Sequence, residues 1–256
     1  MALPVRLVRH KLLQPPVENM PIHTNHNSQD RPFEPLPTLQ LGSRVYQALL
    51  DKIVSGQVEF GVPLRPDAIA RQLSVSTTPV REALHRLENS NLVVKHPNQG
   101  WVVRTFTKQQ IRELYEFRAA LESFSVRLAC ERRTDEDVAA LRAYQLVGER
   151  ALENGDTNAY RIYNRDLHAA YCRAARNSYV STVMSQVGLQ SEMLSSKTIR
   201  MAGRPSRGIE EHARLTELVA SRDASGASAL MEHHILSALD DILRLGLAEG
   251  VSNTSS

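Results

Sequence analysis

From residue 107 to about residue 247 this chain shows almost no strand pattern, and that constrains its fold more than any other feature. Apolar residues recur there at helical spacing in six segments, roughly 107–132, 135–153, 156–175, 178–197, 208–222 and 224–245. Asn154-Gly155, Asn177, the string "MAGRPSRG" and Asp223 punctuate them. Long amphipathic helices joined by short connections bury their apolar faces by packing antiparallel, so the stretch predicts an all-α antiparallel helical bundle. With 42% hydrophobic and 23% charged residues, the chain has the apolar material for such a core. Its 256 residues also leave room for a second domain.

Residues 39–106 supply that second pattern. In "SRVYQALLDKIVSG", Val45, Leu49 and Ile53 mark one helix face and Gly56 is placed to end the helix. Pro63 and Pro66 bracket the start of a second helix, "DAIARQL", with Ile69 and Leu73 inward. After the turn "SVS" comes a third helix, and then "NLVVKHPNQGWVVRTF", two strand-like runs around a polar turn. Three helices and a hairpin describe a winged helix-turn-helix. The expected chain is mainly α, an N-terminal winged helix-turn-helix (39–106) followed by the bundle (107–247). Residues 1–38 hold seven of the twelve prolines and predict a disordered arm. A short disordered tail is expected over 248–256.

Several function classes fall away. No apolar run approaches the roughly 18–20 residues that span a bilayer, so no membrane partner is expected. "MALPVRLVRHKLL" scatters basic residues where a signal peptide needs an uninterrupted apolar stretch. Two cysteines, Cys130 and Cys172, are too few for a disulfide framework. Both are expected as free thiols in a reducing cytoplasm. The net charge of +3 falls largely in 39–106, where eight Lys/Arg face five Asp/Glu, a modest excess that suits phosphate contact.

The third helix of the head, "STTPVREALHRLE", sharpens that reading. Ser76 and Thr78 suit an N-cap, and Pro79 is tolerated in a first turn. Val80, Leu84 and Leu87 form the inward stripe, leaving Thr77, Thr78, Arg81 and His85 outside. A helix start offers unpaired N–H groups and a positive dipole end, both suited to a phosphate. Arg81 adds a fork for a phosphate or the acceptor edge of guanine. Spacing alone is equally consistent with a plain capped core helix.

"TTPVREALHRLENSNLVVKHPNQGWVV" resembles the DNA-binding domain of the GntR family of bacterial transcription regulators, over about 43–103 and most specifically in PVREAL. The resemblance implies that Ser76, Thr77, Thr78 and Arg81 meet DNA, with Asn98, Gln99 and Gly100 at the tip of the wing. Two positions depart from the family pattern: Thr77 stands where an Arg is usual, and Asn91 where a Gly is usual. Arg65, in "PLRPDAIA", is placed to supply the charge that Thr77 lacks. An altered operator preference is expected.

In the bundle, Asn164, His168, His212 and His234 stand out. Asn164 and His168 are four apart and share a helix face. Three imidazoles and an oxygen donor suit Zn²⁺ or another divalent first-row ion, Ni²⁺ or Mn²⁺ included, although spacing alone equally allows each histidine to be a core or surface residue. "YEFRAALESFSVRLACER", "NRDLHAAYCRAARN" and "EEHARLTELVASRDASGASALMEHHI" resemble the three motifs of the FCD ligand-binding domain found in the FadR-type branch of the GntR family. Six helices point to its VanR-like subgroup. The resemblance implies that His168, His212 and His234 hold a metal, with Asn164 replacing the usual Asp and so a weaker or altered preference. Asp166 is a minor substitute for the fourth ligand, and His233 is expected to be structural or exposed. Arg118 has two readings: an intrahelical pair with Glu122, or, with Tyr115, a clamp on an anionic effector.

The function expected is a ligand-responsive DNA-binding regulator, a repressor, reading an inverted-repeat operator as a homodimer under control of a small carboxylate or sugar acid. Two rivals remain: a metal-dependent hydrolase built on the three histidines, and a constitutive DNA binder with a structural metal.

Overall fold

The computed structural model describes residues 40–97 and 99–246. The arm expected over 1–38, the tail expected over 248–256 and Asn98 lie outside the described residues.

The first part of the chain runs α1 (Gln40–Val54), β1 (Pro63–Leu64), α2 (Pro66–Leu73), α3 (Thr77–Asn89), β2 (Val93–His96) and β3 (Gly100–Val103). Gly56, at φ +72°, turns the chain after α1 as its position predicts. Val45, Leu49 and Ile53 of α1 meet Val80, Leu84 and Leu87 of α3 in one core, the last three fully buried. The strands form an antiparallel sheet in the order β1-β3-β2. β1 was not expected: two residues are too short to carry a period-2 pattern, and Pro63 pairs with Val102 from an edge, where a missing N–H is tolerated. Asn91 takes a positive φ of 55°, and the Leu92 N–H reaches the Leu87 carbonyl, so Asn91 does the turning its usual glycine would do.

Six helices follow among the described residues: α4 (Lys108–Arg132), α5 (Asp135–Glu153), α6 (Thr157–Ala174), α7 (Ser178–Thr198), α8 (Arg204–Ala220) and α9 (Ala224–Arg244). Thr107 with Gln110 and Thr134 with Asp137 close capping boxes, while Asp156, Asn177 and Asp223 cap the starts of α6, α7 and α9. One boundary differs from expectation. The string read as a loop already contains the first turns of α8, because Pro205 is accommodated at the helix start and Gly203, at φ +76°, makes the turn into it. His212 therefore sits well inside α8 rather than at its beginning.

Helix α4 packs along α9 and α6, α5 packs on α6 and α8, and α1 of the head rests on α7. Tyr115, Tyr163, Tyr171, Leu167 and Met193 are among the largest fully buried side chains. At Gly148 a Cβ would lie 2.5 Å from the Tyr163 ring, so α5 and α6 approach at a point that admits no side chain. No helix among the described residues is long and apolar enough to cross a membrane.

Candidate DNA-facing helix and imidazole centre

Helix α3 keeps its start open. Ser76 occupies the N-cap with extended backbone (φ −72°, ψ 165°), yet no side chain caps the helix. The N–H groups of the first turn are thus left to an external acceptor. Ser76, Thr78 and Arg81 are exposed and Thr77 is half-buried. His85 projects to the same outer side, with its ring edge-on to Trp101 at 4.9 Å and its Nδ1 3.3 Å from Glu88. Glu88 in turn accepts from the Trp101 indole at 3.1 Å, which fixes β3 against α3. Arg65 is exposed at the N-cap of α2. At the wing, Gln99 is exposed and Gly100 takes φ +73° with open space around its α-carbon.

Within the bundle, three helices bring His168 (α6), His212 (α8) and His234 (α9) together. Each is buried, at 4%, 0% and 3% exposure, and ligand atoms of all three lie within 4.8 Å of one another. The hydrogen bonds around them decide where the protons sit. His168 Nδ1 is held by Glu122, and His234 Nδ1 lies 2.5 Å from Glu211 Oε2. A carboxylate is an acceptor, so each Nδ1 carries its proton.

His212 is oriented through two more residues, Gln145 and Tyr163. Gln145 Nε2 donates to the Ile209 carbonyl at 3.1 Å, which turns Gln145 Oε1 toward Tyr163. The Tyr163 hydroxyl must then give its proton to Gln145, at 3.1 Å, and accept from His212 Nδ1 at 2.9 Å. All three Nε2 atoms are left as lone pairs. His212 Nε2 and His234 Nε2 face each other at 3.2 Å, and the buried His168 Nε2 has no partner among the described residues.

Charge agrees with this. Burial, followed by the neighbouring imidazoles and by Arg204 and Arg118, pushes His212 well below the ordinary histidine value, and His234 is lowered in the same way. Both are neutral donors at pH 7. Burial would raise the Glu122 carboxyl, but Arg118 and His168 together hold it down at about 2.

Arg118 and Tyr115 are both buried on α4. The guanidinium sits over the Tyr115 ring, 5.5 Å from its centroid, and pairs with Glu122. The intrahelical pair is therefore present, but not as a surface pair: its carboxylate is the group that orients His168. Asn164, half-buried one turn before His168, makes no side-chain hydrogen bond among the described residues. Asp166, the minor substitute, does not join the histidines; it pairs with Arg165 at 2.8 Å, on the face its two-residue offset dictates. His233 is exposed.

Sequence reasoning missed Tyr163, Gln145 and Glu211 as orienting groups, and Arg204 beside them, whose guanidinium lies 3.0 Å from Asp241 and 4.0 Å from Glu211. No spacing rule announces a pairing between helices 23 residues apart in the chain, as for Glu211 and His234.

Residues 41–103 match the pattern of the bacterial regulatory proteins of the gntR family, and residues 113–237 match the FCD domain. The chain is 33% identical over 179 residues to the Nta operon transcriptional regulator of Aminobacter aminovorans, covering 69% of this chain and 82% of that protein. This chain belongs to the GntR family. As a GntR regulator with an FCD domain it stands among transcription factors that bind DNA and an effector, not among enzymes. It is also 26% identical over 216 residues to the gluconate operon transcriptional repressor of Bacillus subtilis, covering 82% of this chain and 87% of that protein. Its fold is that of Escherichia coli McbR/YncC, with a TM-score of 0.73 at 24% identity over 82% of this chain and all of that one.

Proposed function

We propose that this GntR regulator is a repressor whose hold on an inverted-repeat operator is set by a small carboxylate or sugar acid bound beside a divalent ion. The observation that carries the reading is the convergence of three lone pairs, from His168, His212 and His234, with every Nδ1 proton already committed elsewhere. Three buried acceptors with no proton among them call for a cation. Imidazole donors in a closed cluster favour Zn²⁺, with Ni²⁺ and Mn²⁺ as competitors. When bound, the ion supplies a Lewis-acid position for an effector oxygen. The Asn164 amide, one helical turn before His168, would add a neutral oxygen ligand.

The chain's own residues do the rest. Arg118 and Tyr115 bound the effector's anionic end, and Glu122 ties Arg118 to the same imidazole that faces the ion. In the head (39–106), Ser76, Thr77, Thr78 and Arg81 present donors to the duplex, Arg65 adds charge, and Asn98, Gln99 and Gly100 form the wing contact. The regulatory module spans 107–247. A homodimer is supported by α4, which exposes Phe117 (49%) and Phe124 (36%) seven residues apart on one face.

The test uses the purified full chain, its own upstream DNA, and a panel of hydroxy acids, sugar acids and dicarboxylates. The reading requires metal by elemental analysis and release of the duplex by at least one acid, a response lost in a His168→Gln/His212→Gln variant. Full metal content in that variant, or indifference to duplex DNA at low ionic strength, overturns it.

A further inference from the structure

A second polar crevice lies away from the imidazoles, where the head meets the bundle. Its volume is about 170 Å³, several times the roughly 30 Å³ that a water occupies in the liquid. The head contributes Ser55 and Gln57, from the turn after α1. The bundle contributes Asn158 and Arg161 from α6, Ser196 from α7, and Arg200 just beyond α7. Among the described residues that line it there are two arginines and no carboxylate.

Arg161 is built in rather than draped over the surface. It is 6% exposed, pairs with Glu192, and donates through Nη2 to Asn158 Oδ1 at 3.0 Å. Its Nε is buried and makes no hydrogen bond among the described residues, and the Oε2 of its partner Glu192 is likewise buried without one. A buried guanidinium donor without an acceptor is costly unless something supplies one. Glu192 offsets the charge of Arg161, so the uncompensated charge at the rim comes from exposed Arg200, which forms no ion pair among the described residues. The surrounding contacts hold the two parts close. A Cβ on Gly56 would lie 3.0 Å from the Ser196 hydroxyl, and the Lys197 ammonium sits 5.5 Å from the centre of the Phe60 ring.

We infer that this crevice is a second anion site, taking a small oxyanion of the phosphate or phosphomonoester class between head and bundle. Forked guanidinium donors match tetrahedral oxygens, and the Gln57 amide supplies a neutral donor from the head. Because its walls belong to both parts, an ion there opposes any motion that separates them.

Titration of the full chain with inorganic phosphate at constant ionic strength, by calorimetry, tests the site. Phosphate should bind saturably where chloride does not. Arg200→Ala, an exposed change that leaves the core intact, should weaken it by about tenfold or more. Arg161→Lys, which keeps the charge but loses the fork, should also weaken it. The His168→Gln/His212→Gln variant should bind phosphate as the wild type does, which separates this site from the imidazole centre. Phosphate behaving like chloride overturns the inference, as does unaltered binding in Arg200→Ala, or loss confined to the histidine variant.

Discussion

Acidification of the chelated protein probes the imidazole centre directly. His212 and His234 are fully enclosed and held well below the ordinary histidine value, first by burial and then by neighbouring imidazole and guanidinium groups. In the unfolded chain each titrates near 6.5. The folded values are depressed, so the stability these groups allow is complete above about pH 6.5 and is lost as pH falls from there toward the folded values. At pH 5.5, one unit below the unfolded value, each group contributes a loss on the order of 1 kcal/mol, and the pair about 2–3 kcal/mol. Glu122 adds little in this window, because its carboxyl moves from the ordinary range down to about 2 and is lost only at stronger acid. Against a typical domain stability of 5–15 kcal/mol the effect is large. Urea unfolding with EDTA present, at pH 7.5, 6.5 and 5.5, should show the midpoint falling by about 1–3 M between the first and last, for a slope of about 1–3 kcal/mol per molar urea. His212→Gln/His234→Gln should flatten the profile. A midpoint that holds steady down to pH 5 and drops only as carboxylates protonate would refute the neutral, proton-free assignment.

Arg81→Ala should reduce duplex affinity by about ten- to a hundredfold and lower the salt slope by about one in a gel-shift titration, with no change in helicity. Tyr163→Phe leaves the His212 Nδ1 proton without its acceptor. It should weaken Zn²⁺ binding by about ten- to a hundredfold in a competition with a chromophoric chelator. Gly148→Ala puts a methyl 2.5 Å from the Tyr163 ring carbons, and should cost about 1–3 kcal/mol by thermal or urea unfolding and weaken metal as Tyr163→Phe does.

Helical periodicity carried the bundle because each of its helices buries one face, a signal that needs no knowledge of partners. It failed at α8, where a proline and a glycine that usually mark a loop instead start the helix. In the head, the inward stripe of α3 was legible for the same reason, whereas β1 was not, since two residues pair only because β3 has an open edge. The three histidines were legible as residue types. The groups that orient them were not, because Glu122, Glu211 and Tyr163 acquire that role through contacts between helices. Glu122 in particular is four residues from Arg118, and a local rule offers it only as an intrahelical partner. Its second oxygen, turned to α6, is what makes that pair part of the centre.

Helix α6 connects both ends of this design. His168 and Arg161 are seven residues apart, so they leave the helix on nearly the same face, about 10.5 Å apart along its axis. Tyr163, between them, holds the tautomer of His212. A ligand can shift an equilibrium only by its differential affinity for two arrangements. One route from an acid at the imidazoles to the head is motion of α6 against α7, where Arg161 meets Glu192 and where α1 of the head rests. A rigid α6 makes that motion one of the whole helix rather than of a chain of side chains. Arg161→Lys then discriminates: it leaves the three histidines and the α3 contacts untouched, so metal content and effector-free duplex binding should persist. The effector's power to release DNA should fall. An effector response equal to wild type in that variant would mean that the signal leaves the bundle by another helix.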